Sequence, residues 1–225
     1  LGRGEACLFP TVRPATHNTR IIVVNKPDRQ QYQLFSGQRL AGTQNADLLP
    51  FQMGTLALGG TFSSRLVKAL RIDRGLSYGA QAWVGASRGS SGLFSHADVA
   101  ADRVDEAVEV LLEHLDALST EGITTRELDF CKTHTLKSLP FGLETAAMEV
   151  GQKVRLRILG RDLAEFKTRR ERLQNLEWTD VQTALSTLQN QGERILLILC
   201  SYTPTTRKKL APILSRFDVE EFNWC

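Results

Sequence analysis

The sequence predicts an α+β protein, with an antiparallel or mixed β-sheet covered by helices on one face. The predicted order is two strands, two helices, two strands, a long helical stretch, a strand and a helix. This order lacks regular strand–helix alternation and so excludes a doubly wound parallel fold. Residues 104–118 carry apolar side chains at i, i+3, i+4 and i+7, typical of an amphipathic helix on a sheet. Residues 194–201 (RILLILCS) are apolar almost throughout, which favours a central strand.

Composition and charge exclude several classes of protein. The chain has 225 residues, of which 42% are hydrophobic and 24% are charged, as in ordinary globular domains. A chain of this length can bury a large core without disulfide bonds. The net charge of +3 does not indicate nucleic-acid binding. Apolar runs such as Ile195 to Cys200 are far shorter than the roughly 20 residues of a membrane span. We therefore predict neither a nucleic acid nor a membrane as partner.

The amino-terminal end has a different character from the rest. Residues 1–19 contain Gly2, Gly4, Pro10 and Pro14 and are predicted to be linker-like, and residues 20–225 are predicted to form a single domain. Because the chain begins with Leu1 rather than Met, we expect a processed product or a fragment of a longer protein.

The elements before residue 101 are bounded by Gly, Pro and Asp signals. Residues 20–25 and 31–37 are predicted strands that pair as a hairpin, separated by Lys26-Pro27-Asp28. A helix is expected over 47–58, with Asp47 as a possible N-cap. The remaining predictions are a second helix over 63–71 that Gly75 ends, and two strands over 77–86 and 92–100.

The elements after residue 101 are mostly helical. Thr124 and Glu127 form a predicted capping box, and Ile123 and Leu128 a hydrophobic staple, so a helix is expected to start there and end before Pro140. Further helices are predicted over 144–158, 162–176, 178–188 and 205–216, with an edge strand over 219–222 after the central strand.

Metal ligands and cysteines form no recognisable site. The stretch from Val110 to Glu113-His114 approximates the zinc motif HxxEH, but Val110 occupies the position of the first histidine. One imidazole and one carboxylate do not hold zinc, so we predict no metal bound by this chain. His96 and His134 are predicted to be ordinary surface or core residues. Cys131 and Cys200 are predicted to be buried, and the sequence leaves open whether Cys7 and Cys225 pair.

Nucleophile and phosphate motifs are missing as well. The serine pairs at 63–64 and 90–91 lie outside any GxSxG turn, and Gly59-Gly60 belongs to no phosphate-binding loop. Two basic clusters, 169–172 and 207–209, are interpreted as solvated helix faces.

The segment from Leu58 to Tyr78 (LGGTFSSRLVKALRIDRGLSY) carries the most specific signal. It resembles the signature of the carboxy-terminal, non-catalytic half of the pitrilysin/insulinase zinc metallopeptidases, L-G-G-[ST]-F-S-S-R-L followed by L-R-E-x-x-G-L-[AS]-Y. Ile72-Asp73 depart from it where the family usually has a Glu after the Arg. The order of elements is similar over most of the chain.

The resemblance implies a protein of two homologous halves, fused or separate, that close around a chamber. One half binds zinc through HxxEH, and the other supplies an Arg and a Tyr seven residues apart. These correspond to Arg71 and Tyr78, which are expected to contact the substrate and stabilise the tetrahedral intermediate. The expected partners are a zinc-bearing half and an unstructured peptide, and a homodimer is possible. The helix that would hold HxxEH corresponds to about 47–60, which contains no histidine.

Two other functions share the same fold. One is a structural subunit, like the core subunits of the respiratory cytochrome complex, and the other is a stand-alone peptide-binding module that offers a sheet edge. Retention of Arg71 and Tyr78 favours the peptidase half. The compartment stays open, although the resemblance favours the periplasm if the source is bacterial.

Overall fold

A computed structural model describes residues 19–40, 47–87, 90–190 and 193–224. Cys7, Cys225, His17 and the predicted linker fall outside these ranges, apart from Thr19. The six described strands form one mixed sheet in the order β3-β4-β2-β5-β1-β6. β1 is parallel to both β5 and β6, and the other neighbours are antiparallel.

The strands are β1 (Thr19–Asn25), β2 (Gln31–Leu40), β3 (Ser77–Ser87), β4 (Ser90–Ala100), β5 (Arg194–Cys200) and β6 (Asp218–Asn223). The α-helices are α1 (Leu49–Gly59), α2 (Val104–Thr120), α3 (Thr125–Ser138), α4 (Ala146–Ile158), α5 (Ala164–Asn175), α6 (Trp178–Ser186) and α7 (Pro204–Leu214). A π-helical turn spans Val67–Ile72, and short 3-10 helices span Ala101–Arg103, Pro140–Leu143 and Thr187–Asn190.

The helices cover one face of the sheet, as the sequence predicts. Burial alternates along the strands, so that Ile21 and Val23 of β1 are fully buried while their neighbours Ile22 and Val24 are only partly buried. The same alternation runs through β5. α2 provides much of the opposing layer, and the residues of its apolar stripe are buried in the core. The predicted fold class is therefore confirmed.

The predicted hairpin of β1 and β2 is wrong. β5 lies between these two strands and pairs with β1 in parallel and with β2 in antiparallel orientation. β1 and β5 are both almost wholly apolar, and such strands fit central positions where both faces of the sheet are apolar. Their pairing joins segments at opposite ends of the chain, which a local pattern does not reveal.

Local signals predict the helix ends with mixed success. The capping box of Thr124 and Glu127 is confirmed at the start of α3. Asp47 is not the N-cap of α1, because Leu48 occupies that position without a capping side-chain bond. The Asp47 carboxylate does accept a hydrogen bond from the Leu49 N–H at 2.9 Å, just before the helix. The short helix α6 begins at Trp178 and has Glu177 at its N-cap, in a capping box with Asp180. The predicted helix over 63–71 is instead a π-helical turn for most of its length.

The described residues also bear on the predictions about cysteines and about membrane-spanning segments. Cys131 and Cys200 are buried free thiols, as predicted, and burial raises the pKa of each to about 12. Among the described helices, none combines the length and the apolar character that crossing a membrane requires.

Candidate substrate-contact site

The segment 58–78 begins where α1 ends against strand β3. A Cβ added at Gly59 would lie 2.5 Å from the backbone nitrogen of Ala82, closer than real Cβ atoms approach other atoms. Only glycine therefore lets the end of α1 pack this tightly on β3. After this contact, Ser64 is buried and donates a hydrogen bond to the carbonyl oxygen of Thr61 at 2.5 Å. The glycine-rich start of the segment thus serves packing.

Arg65 ties the segment to helix α3. Its Nε and Nη2 donate to the two carboxylate oxygens of Glu127 at 2.6 and 2.7 Å, so the pair is bidentate. Glu127 also accepts a hydrogen bond from the Thr124 N–H at 2.7 Å, within the capping box of α3. One carboxylate therefore caps a helix and holds the segment in place.

The ionisation of this pair follows from its contacts. Hydrogen bonding to Glu127 raises the pKa of Arg65, against the opposing effect of its burial. Burial by itself would raise the pKa of Glu127, but the hydrogen bonds from Arg65 and Thr124 outweigh it and lower the pKa. Both groups are therefore held in their charged forms.

The residues between Arg65 and Tyr78 alternate between core and surface. Leu66, Leu70 and Leu76 are fully buried or nearly so. The Leu76 N–H donates to the Leu70 carbonyl oxygen at 2.7 Å, which closes the turn between the π-helical turn and β3. Gly75 lies in this turn with φ of 62°, a conformation that favours glycine. These buried leucines therefore anchor the turn in the hydrophobic core.

Tyr78 occupies an irregularity in the pairing of β3 with β4. Ser77 pairs with Val99 and Gly79 pairs with Asp98, so Tyr78 is an extra residue without a partner in β4. The Ser77 hydroxyl lies 2.7 Å from the Asp98 carbonyl oxygen and accepts from the Gly79 N–H at 3.0 Å, which stabilises the bulge. Bulges of this kind redirect a side chain, and that of Tyr78 is 74% exposed.

Arg71 is at the other end of the turn and is also exposed. Its guanidinium carbon lies 5.8 Å from the centre of the Phe62 ring, within cation–π range. The Phe62 ring is itself 79% exposed. The structure thus places both predicted site residues, Arg71 and Tyr78, on the surface at the two ends of one turn. Among the described residues, no hydrogen bond, ion pair or ring contact joins one to the other.

The described histidines do not fit a zinc site. His114 Nδ1 lies 2.9 Å from the Val110 carbonyl oxygen, a local contact within α2. His96 stacks on Phe35 with ring centres 4.3 Å apart, and His134 lies against Phe130. Within the described ranges, no three His, Cys, Asp or Glu side chains are grouped so that they could hold a metal ion.

The face of the sheet that the helices leave uncovered carries a group of apolar side chains, beside polar ones such as Gln33, His96 and Asp98. We call this apolar group the open sheet face; it consists of Ile22, Val24, Phe35, Trp83, Phe94, Ile195, Leu197 and Leu199. Trp83 and Phe94 stack at 5.9 Å, and each is about two-fifths exposed. A hollow of about 650 Å³ lies over one end of this face. Contiguous exposed apolar surface of this kind marks interaction sites.

The mixed sheet, the single helical layer and the segment 58–78 agree with a domain of the peptidase family that the sequence resembles. The chain belongs to the family of the peptidase M16 inactive domain, which it matches over residues 8–134. Among curated proteins it is similar to the uncharacterized zinc protease YmxG of Bacillus subtilis, with 25% identity over 173 residues. That match covers 76% of this chain and 40% of the relative.

Solved structures share the fold at low identity. The peptidase M16 inactive domain from Pseudomonas fluorescens superimposes with a TM-score of 0.72 at 21% identity, over 86% of this chain and 46% of that one. A protease from Helicobacter pylori gives a TM-score of 0.70 at 19% identity, over 88% and 48% of the two chains. The chain therefore spans less than half the length of these relatives.

Sequence reasoning missed two contacts and one backbone irregularity at the site. The Arg65–Glu127 pair joins residues 62 positions apart, and no local pattern connects them. The stacking of Phe62 on Arg71 depends on how the turn folds back. The bulge at Tyr78 depends on the register with β4. Only the match of Phe62 and Arg65 to the family signature could have directed attention to them.

Proposed function

We propose that this chain is the non-catalytic half of a zinc peptidase, and that Arg71 and Tyr78 contact the substrate when a zinc-bearing half is present. The observation that carries the proposal is the exposure of these two side chains at the ends of one turn whose buried residues fix it. An exposed Arg and Tyr on such a support are free to bind a ligand. Membership of the inactive-domain family supports the same role.

The chemistry suits a peptide carbonyl. In the partner half, zinc would activate the attacking water. Attack puts negative charge on the carbonyl oxygen, and a guanidinium and a phenol can both donate hydrogen bonds to it. A well-placed donor of this kind contributes about 3–4 kcal/mol to transition-state stabilisation. Arg71 and Tyr78 would provide such donors, with the Phe62 ring limiting the orientations of Arg71.

The open sheet face supports the presence of a partner. Its aromatic side chains Phe35, Trp83 and Phe94 are each between 37% and 40% exposed. The solved relatives contain about as much chain again as this domain covers. We propose that the partner half, fused or separate, packs on this face. If the source is bacterial, we propose that the assembly is periplasmic, which cell fractionation would check.

The experiment combines this chain with its zinc-bearing half and follows the cleavage of an unstructured peptide. Arg71→Ala and Tyr78→Phe should each lower the rate by about 100-fold or more. Arg74→Ala is a matched control, because Arg74 lies in the same turn but has no proposed substrate contact. Its guanidinium instead forms an exposed ion pair with Glu106 at 3.8 Å. Unchanged rates in both Arg71→Ala and Tyr78→Phe would overturn the assigned role. If the unmodified chain and its zinc-bearing half together do not cleave the peptide, a structural subunit or a peptide-binding module is favoured instead.

Metal content separately tests which half binds zinc. When it is purified in the presence of zinc, the chain alone should contain no stoichiometric zinc, and the assembled protein should contain one zinc ion. Stoichiometric zinc in the chain alone would contradict the assignment of the metal to the partner.

A further inference from the structure

A second cavity, of about 560 Å³, lies on the helical side of the sheet at the edge strand β3. Its walls come from α1, β3, α4 and α5. Part of the lining is apolar and part is strongly charged. The apolar part includes Leu49, Leu56, Leu156 and Phe166. We call it the arginine cavity.

Four guanidinium groups and two carboxylates line the arginine cavity, which leaves a net charge of +2. They belong to Arg155, Arg161, Arg169, Arg172, Asp47 and Glu165. Both carboxylates are already paired. Arg172 lies 2.5 Å from Asp47 and 3.3 Å from Glu165, and Arg161 lies 2.7 Å from Glu165.

Arg155 and Arg169 are different, because neither has an acidic partner among the described residues. Both side chains are exposed, so a ligand can reach them. Partial enclosure by the cavity wall, and then the charge of Arg155, lower the pKa of Arg169. The two guanidinium groups line the same cavity and repel each other, so an anion bound near both would stabilise them. The sequence interpretation of 169–172 as a solvated face is therefore incomplete.

The position of the cavity favours a peptide as the molecule that carries the anionic group. Ala82, Trp83, Val84 and Ala86 of β3 line it, and β3 is the last strand at its side of the sheet. An edge strand offers unpaired N–H and C=O groups to an extended peptide. A peptide added to this edge would carry its side chains past the apolar lining and past Arg155 and Arg169. Arginine binds carboxylates in bidentate geometry.

We infer that the arginine cavity binds an extended peptide at the edge of β3, with an acidic side chain of that peptide between Arg155 and Arg169 and apolar neighbours against the cavity wall. The inference adds a second peptide contact to the proposed function. It concerns binding by this chain and needs no zinc-bearing half, so a failure here would be distinguishable from a failure of the proposed cleavage role.

The test measures binding by calorimetry with two blocked peptides, acetyl-Ser-Thr-Leu-Glu-Leu-Thr-Ser-amide and the same peptide with Gln in place of Glu. The Glu peptide should bind the unmodified chain at least tenfold more tightly than the Gln peptide, and the difference should shrink as salt is raised. Equal affinity for the two peptides, or no binding of either, would overturn the inference. Binding of dodecanoate, a carboxylate with an apolar chain but no peptide backbone, without binding of the Glu peptide would also overturn the inference.

Variants with neighbouring controls assign the effect to the cavity. Arg155→Gln and Arg169→Gln should each remove most of the tenfold preference for Glu. Arg157→Gln and Arg170→Gln alter exposed arginines of the same helices that do not line the cavity, so they should keep the preference. A preference that survives both cavity variants, or that the control variants abolish, would contradict the assignment.

Discussion

Arg65 and Arg71 come from the same segment, six residues apart, and have opposite surroundings. Arg65 is held by two hydrogen bonds to Glu127, and its side chain is 21% exposed. Arg71 is exposed and is contacted by the face of the Phe62 ring. The contrast separates two roles within one signature. Arg65 holds the segment on the domain, and Arg71 is left exposed, as the proposed substrate contact requires.

Gly59→Val should have the largest effect on this contrast, because it removes the support of both arginines. The added side chain would meet the β3 backbone at Ala82, where even a Cβ would be 2.5 Å away. We expect a loss of about 3 kcal/mol in the free energy of unfolding, near the upper end for overpacking. Urea denaturation followed by circular dichroism would measure it. Gly151→Val is a control, since open space surrounds Gly151; a similar loss there would show that the contact with β3 is not the cause.

Arg65→Ala should destabilise the domain by about 2 kcal/mol, because a partly buried Glu127 loses a bidentate charged partner. Arg71→Ala should change the free energy of unfolding by less than about 0.5 kcal/mol, as exposed residues do. The same denaturation experiment compares the two variants directly. If Arg71→Ala were the more destabilising, the division of roles between the arginines would be wrong.

The Arg65–Glu127 pair should also make stability depend on pH. The pKa of Glu127 is lower in the folded chain than its ordinary value of about 4.3. Its contribution is therefore fully present above that ordinary value and is lost as pH falls towards the folded pKa. The stability difference between the chain and Glu127→Gln should be constant above about pH 5 and shrink as the pH falls from there towards pH 3. A difference that stays constant over this range would contradict a lowered pKa.

Phe62→Leu should have the smallest effect, because it removes only the aromatic face from Arg71. An exposed cation–π contact contributes about 0.5–1 kcal/mol, so cleavage by the assembled protein should slow by about two- to fivefold. Stability should be unchanged, since Phe62 is 79% exposed. Phe62→Tyr keeps an aromatic face and should retain the rate. Equal losses in both variants would show that Phe62 acts by shape rather than through its ring.

Predictions succeeded where the signal is local. The amphipathic stripe gave α2 within two residues of its end, and the capping box placed the start of α3. Both depend on contacts between residues three or four apart, which a sequence pattern displays directly. The hairpin of β1 and β2 failed because strand partners are chosen by burial of whole faces across the chain. The π-helical turn at Val67–Ile72 escaped detection because its apolar spacing resembles that of an α-helix.

The sequence by itself determined the fold class, the main helices and the identity of the candidate residues Arg71 and Tyr78. These depend on local periodicity and on a segment whose residue types are specific. Only the tertiary structure decided that Arg65 is paired, that a bulge exposes Tyr78, and that Arg155 and Arg169 share a cavity. Each of these joins elements far apart in the chain, and their proximity results from packing of the helices on a twisted sheet. That packing has no counterpart in any short stretch of sequence.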